Sequence, residues 1–155
     1  MKVAIYARVS TDEQTEQNQL APLLSIAEQR KYEIVEIYQE QVSAWKNGHQ
    51  KELARLFEDA RKGKFQSVLV WALDRITREG PLRILEYYKK LSDYGVSVIS
   101  LQESWTEMPS EIKPLLIAVM GWVAEQESKR RSERTIAGMA RAKGQGVHCG
   151  RPRKI

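Results

Sequence analysis

Val3-Ala4-Ile5-Tyr6-Ala7-Arg8-Val9-Ser10-Thr11-Asp12-Glu13-Gln14 decides the fold. Its first residues form an apolar run that reads as a short buried strand, over 2–9. An arginine, a serine and a polar loop follow at once. In an open α/β sheet, ligands sit beyond the carboxyl ends of the strands. A hydroxyl beside a guanidinium at that point is a candidate nucleophile beside a phosphate holder. A second cluster, Leu73-Asp74-Arg75-Ile76-Thr77-Arg78-Glu79, also follows an apolar run, Ser67 to Leu73.

Between and after these clusters the pattern alternates. Leu20, Leu23, Leu24, Ile26 and Ala27 have helical spacing. Thr11 or Asp12 is placed to cap that helix. Glu33 to Tyr38 favours a strand. Gln39 to Lys51 lacks a clear period, contains Asn47-Gly48, and reads as a long irregular loop. Leu53, Leu56, Phe57 and Ala60 mark a helix stopped at Gly63. The nearly continuous 67–73 run suits a central parallel strand covered on both faces. Pro81 starts a helix whose buried stripe is Leu82, Leu85, Tyr88 and Leu91, closed by Gly95. Val96 to Leu101 is a fourth strand. This order predicts an α/β fold: a mostly parallel sheet of four to five strands with helices on both faces.

After Pro109 comes the longest helical pattern, Ser110 to Lys143, with Pro114 in its first turn. Ile112, Leu115, Leu116, Val119, Met120 and Val123 form an apolar stripe, which gives way to a polar and basic surface. About 34 residues of helix would run roughly 50 Å, against about 30 Å for the body of a domain this size. Part of the helix is therefore expected to project, and an isologous dimer through 112–124 would bury the stripe. The chain is expected to divide into a body over 1–108 that carries both clusters, a long helix over 109–143 for oligomerisation and contact with DNA, and a basic extended tail over 144–155.

The chain of 155 residues is 42% apolar and 29% charged, an ordinary globular composition. It has no run of about 18 apolar residues, so no membrane span is expected. A single cysteine, Cys149, permits no internal disulfide and no cysteine-based metal site, and fits a cytoplasmic setting. The net charge of +5 is unevenly placed. Residues 129–155 hold nine basic side chains and one acidic, leaving sixteen basic and nineteen acidic in 1–128. A mildly acidic body with a basic end points to a polyanionic partner. The terminal Gly150-Arg151-Pro152-Arg153 has the composition of a segment that lies in a minor groove.

A parallel sheet brings the ends of the first and third strands together. Arg8, Arg75 and Arg78 around the Ser10 hydroxyl suit a phosphodiester, since each guanidinium donates two hydrogen bonds to phosphate oxygens. Phosphoryl transfer needs little beyond positioning and charge stabilisation, and cations favour loss of the serine proton. No Gly-rich phosphate loop follows the first strand, which disfavours a nucleotide-binding protein of another kind.

Tyr6-Ala7-Arg8-Val9-Ser10-Thr11 and Leu73-Asp74-Arg75-Ile76-Thr77-Arg78, about 65 residues apart, resemble the two signatures of the serine recombinases, the resolvase and invertase group. The resemblance covers nearly the whole chain, including Glu127 and Glu133-Arg134-Thr135 in the long helix. It implies that Ser10 attacks a phosphodiester of double-stranded DNA and becomes linked to the 5′ phosphate. It implies that Arg8, Arg75 and Arg78 bind and activate that phosphate. Asp74 would orient an arginine or help protonate the leaving oxygen. Gln14 and Ser43 match polar positions near the family's active site, and Lys51 or Lys46 would substitute for a phosphate-binding arginine that the family usually carries in the loop before residue 53. Arg130, Arg134 and Arg141 on the helix, with Arg151 and Arg153 in the tail, are the remaining candidate DNA contacts. The resemblance implies no metal, no cofactor and no small-molecule substrate, and a homodimer that becomes a tetramer at synapsis.

The chain departs from the family pattern in three places. His49-Gln50-Lys51 stands where an Arg-Pro pair is usual, Ser43-Ala44 replaces Ser-Gly, and Glu127-Ser128 replaces Glu-Arg. Family members usually carry a helix-turn-helix domain after such a tail; residues 144–155 cannot form one, whether the chain is part of a longer protein or a truncation, so weak sequence-specific binding by these 155 residues is expected. A DNA-binding or assembly module of the same fold, impaired in turnover, is the alternative these departures suggest.

Overall fold

The computed structural model describes residues 1–9, 13–41, 50–77, 79–109 and 111–150, the side chains of 9 and 13–18 excepted. Four strands, β1 (Lys2–Val9), β2 (Glu33–Gln41), β3 (Ser67–Val70) and β4 (Ser97–Ser100), form one sheet in the order β2-β1-β3-β4. Every neighbouring pair is parallel. Helices α1 (Glu13–Gln29), α2 (Lys51–Arg61) and α3 (Pro81–Asp93) make the crossovers, and α4 (Lys113–Gly144) follows. The sheet has four strands, the lower of the two numbers expected.

Alternation along β1 sorts the core into two layers. Val3 and Ile5 pack with Leu23 and Ala27 of α1, together with Leu69 and Ile99. Ala4 and Tyr6 face the opposite way, into a larger cluster with Tyr38, Leu53, Leu56, Phe57, Tyr88 and Leu91. The helices therefore lie on both faces, α1 on one and α2 with α3 on the other. Gly63 and Gly95, at φ +70 and +74, turn the chain out of α2 and α3 in the left-handed conformation that a side chain would resist.

Several boundaries differ from the sequence reading. The polar residues Gln39, Glu40 and Gln41 belong to β2 rather than to a loop, because β1 pairs with them as far as Val9↔Gln41. Lys51, expected at the end of that loop, is the first residue of α2. The third strand stops at Val70, and Leu73 begins a 3-10 turn, Leu73–Arg75. Of the stripe expected on α3, Tyr88 and Leu91 are buried, whereas Leu82 is exposed. A 13-residue helix runs about 20 Å, whereas the four-residue strands beneath it span about 13 Å. The helix is longer than β3 and β4.

α4 is 32 residues long, about 48 Å at 1.5 Å per residue. It packs on the body near its start: Ile117 borders the larger core cluster and Ala124 is its only buried residue. α3 packs beside Gly121, where a Cβ would stand at ordinary contact distance, 3.6 Å, from Leu85 Cδ1. The opposite face is open. Leu115 and Trp122 are 67% and 62% exposed, and Val119 and Val123, also exposed, continue the face at helical spacing. Among the described residues no helix is long and apolar enough to cross a membrane.

Candidate active site

From β1 the chain crosses to β2 on one side, while β3 lies on the other side of β1. That reversal opens a crevice at the carboxyl ends of β1 and β3. Tyr6 pairs with Val70, so Arg8 stands two residues beyond the last paired position of β3. The 3-10 turn Leu73–Arg75 starts three residues beyond the same position. The two clusters singled out in the sequence therefore leave the sheet side by side.

Arg8 is buried, 4% exposed, and shares its face with Tyr6. Its register partner on β2 is Glu40, 2% exposed. Glu40 faces the start of α2, where its Oε2 accepts the backbone N–H of Glu52 at 2.9 Å and of Leu53 at 3.0 Å. Gln50 at the N-cap position makes no side-chain cap, and the carboxylate satisfies those orphan donors from outside the helix. The Tyr6 hydroxyl lies in the same layer, is buried, and has no hydrogen-bond partner among the described residues. Burial first, then the negative charge of Glu40, pushes its pKa well above the ordinary phenol value, while Arg8 pulls the other way.

Asp74 is exposed and Arg75 is half exposed. They contact each other loosely, Arg75 Nε to Asp74 Oδ1 at 3.8 Å, beyond hydrogen-bond range. Arg75 Nε has no hydrogen bond among the described residues. The turn itself is held from β4: Glu103 Oε2 accepts the Leu73 N–H at 3.0 Å and the Ser100 hydroxyl.

The other expected site residues are scattered. Ser10, Arg78, Ser43, Lys46, Arg151 and Arg153 lie outside the described residues, as does the side chain of Gln14, whose backbone is in the first turn of α1. Lys51 is exposed at the start of α2, next to the residues that Glu40 caps. Arg130, Arg134 and Arg141 are exposed on the far part of α4. They stand roughly 9, 15 and 26 Å along the helix axis beyond Ala124, the buried residue of α4.

Sequence reasoning missed Tyr6, Glu40 and Glu103 at this end of the sheet. For Glu40 the signal was its place two residues after Tyr38, the period of one strand face, obscured by the polar residues around it. Ser100 and Glu103 have the spacing of a helix-start capping box, but here the carboxylate reaches across to the neighbouring strand's exit.

Residues 3–148 match the family model described as "Resolvase, N terminal domain". A resolvase of Clostridium perfringens is 29% identical over 151 residues, spanning 96% of this chain and 76% of that protein. The transposon Tn552 DNA-invertase BinR of Staphylococcus aureus is 33% identical over 158 residues, covering 100% of this chain and 76% of that one. Among solved structures, a resolvase family site-specific recombinase from Streptococcus pneumoniae superposes with a TM-score of 0.71 at 26% identity, over 92% of this chain and 98% of that one. The N-terminal catalytic domain of TP901-1 integrase gives 0.65 at 26% identity, over 83% and 98%.

Proposed function

Because this chain belongs to the family of resolvase N-terminal domains, we propose that it is the catalytic part of a site-specific DNA recombinase or transposase, and that Ser10 is its nucleophile. In the reaction, Ser10 Oγ attacks the phosphorus of a DNA phosphodiester. The Oγ–P bond forms as the P–O3′ bond breaks, the serine proton leaves, and the 3′ oxygen takes one up. One phosphodiester replaces another, so no oxidant or reductant is needed and the reverse attack by the 3′ hydroxyl rejoins the strand. Arg8, Arg75 and Arg78 stabilise the charge on the phosphate through paired N–H donors, without recourse to a metal, and Asp74 orients an arginine or supplies the proton for O3′.

The observation that carries this reading is the shared exit of Arg8 and the Asp74-Arg75 turn at the β1–β3 crevice, with Ser10 two residues beyond Arg8 in the sequence. In the same proposal, a second copy covers the exposed face of α4 formed by Leu115, Val119, Trp122 and Val123, two dimers meet at synapsis, and the protein acts in the cytoplasm. Arg130, Arg134, Arg141, Arg151 and Arg153 hold phosphates flanking the cut, and Gln14, Ser43 and Lys51 border the cleaved bond.

The test incubates the chain and its Ser10→Ala variant with nicked duplexes from a random-sequence pool, reading DNA retention and denaturant-stable adduct separately. The parent is expected to form the adduct and the variant to bind without forming it. An adduct that survives Ser10→Ala overturns the nucleophile. Binding by both with an adduct from neither favours the impaired binding module.

A further inference from the structure

The turn that carries Arg75 is three residues long and owes little to its own side chains. Its internal hydrogen bonds are Arg75 N–H to Ala72 C=O and Ile76 N–H to Leu73 C=O, both at 3.1 Å. The residue at its N-cap is Ala72, which has no side chain to satisfy the first amide. Arg75 makes no hydrogen bond through Nε among the described residues, and Asp74 meets it only at 3.8 Å. Leu73 and Ile76 are buried and anchor the turn's ends. They do not fix the direction in which the guanidinium leaves it.

The missing cap comes from the neighbouring strand's exit. β4 continues to pair past its last regular residue: Leu101 N–H reaches Val70 C=O and Gln102 N–H reaches Trp71 C=O, each at 3.1 Å. This brings Glu103 to the turn, where Oε2 accepts the Leu73 N–H at 3.0 Å. The carboxylate is itself held. The Ser100 hydroxyl donates to the same oxygen. Thr106 Oγ1 donates to the Glu103 carbonyl at 2.8 Å and accepts the Ser100 N–H at 3.1 Å. Ser100 and Thr106 are both buried, so the clamp is a closed set of bonds rather than a loose surface contact.

We propose that Glu103 is a positioning residue: through the Leu73 amide it fixes the 3-10 turn and so sets where Arg75 presents its guanidinium to the phosphate. The proposal rests on the DNA-cleaving reading above. An arginine displaced by about 1 Å loses on the order of 100-fold in rate, while the phosphate's overall attraction to the basic chain hardly changes. The substitution therefore separates chemistry from binding. A glutamine at 103 keeps, with its amide oxygen in the place of Oε2, an acceptor for both the Leu73 N–H and the Ser100 hydroxyl, so it restores most of the function.

The experiment uses the full 155-residue chain with nicked random-sequence duplexes. It measures DNA affinity, the single-turnover rate of adduct formation at saturating DNA, and hydrogen exchange at the Leu73 amide. Glu103→Ala is expected to slow adduct formation about 100-fold with affinity close to the parent's, and to lose protection at Leu73. Glu103→Gln is expected to keep that protection and react within roughly tenfold of the parent. A folded Glu103→Ala chain that reacts at the parental rate overturns the proposal. So does a Leu73 amide that stays protected without the carboxylate, or a Glu103→Gln chain as slow as the alanine variant. A parent that forms no adduct overturns the DNA-cleaving reading itself, and the role assigned to Glu103 falls with it.

Discussion

Tyr6 and Tyr38 are register partners on neighbouring strands, both wholly buried on the same face of the sheet, yet their hydroxyls meet different fates. Tyr38 donates to Asp59 Oδ2 at 2.7 Å, and Asp59 Oδ1 in turn holds Lys64 Nζ at 2.6 Å. That set joins β2 to the far end of α2 and is closed. The Tyr6 hydroxyl has no hydrogen-bond partner among the described residues and points into the layer that holds Arg8 and Glu40. An unmet buried hydroxyl costs about 1–3 kcal/mol. The difference teaches where the chain spends polar groups on its own stability and where it leaves them open. The unmet Tyr6 hydroxyl lies beside the last paired residue of β3, Val70, next to the crevice at the carboxyl ends of β1 and β3.

The comparison can be broken most forcefully from the crevice side. Arg75 is half exposed and makes no hydrogen bond through Nε among the described residues, so Arg75→Ala is expected to leave the urea midpoint nearly unchanged. It should slow single-turnover adduct formation by about 10²–10³-fold. An alanine variant that cleaves normally would place the chemistry elsewhere.

The closed set should behave in the opposite way. Asp59→Ala strips a buried carboxylate from two donors and is expected to destabilise the fold by about 2–3 kcal/mol in urea titrations, with the adduct rate per folded molecule unchanged. Its titration has a definite sign. The hydrogen bond from Lys64, then that from Tyr38, holds the Asp59 carboxyl below its ordinary value. Its contribution to stability is therefore complete above the unfolded pKa of about 3.9 and is lost as the pH falls further, through the folded value. Stability measured between pH 5 and pH 2 should fall less steeply in Asp59→Asn than in the parent.

The smallest effects sharpen the contrast between the two tyrosines. Tyr38→Phe is expected to cost about 1 kcal/mol, because the Asp59 carboxylate loses a donor. Tyr6→Phe removes a hydroxyl without a described partner, and thermal denaturation should show it neutral or stabilised by up to about 1 kcal/mol. Equal losses from the two changes would mean that the Tyr6 hydroxyl is also part of a closed set.

The elements at the crevice differ in how far the sequence alone revealed them. Arg8 and the Asp74-Arg75 pair were legible because each directly follows an apolar run, and a parallel sheet gathers strand ends at one edge. Glu40 was hidden, since its neighbours Gln39 and Gln41 have no strand signature of their own and are strand only because β1 pairs with them. Pairing is a long-range property that local propensity does not carry. Glu103 was hidden for a similar reason, its partner being 30 residues away on another strand's exit. The periodicity of α4 marked Leu115, Val119 and Val123 as part of an apolar stripe, and in the single chain they are exposed. In the single chain Ile117, Gly121 and Ala124 face the body, while Leu115 and Trp122 remain exposed.

The most direct test of the central claim is the chemistry of the trapped link between protein and DNA. Adduct formed on a nicked duplex would be digested with protease and nuclease, and the modified peptide sequenced by mass spectrometry. The freed DNA end would be offered to a polymerase. The account predicts a nucleotide joined through its 5′ phosphate to Ser10 and an extendable 3′ hydroxyl on the released strand. A link through a 3′ phosphate, or to any residue other than Ser10, would contradict it.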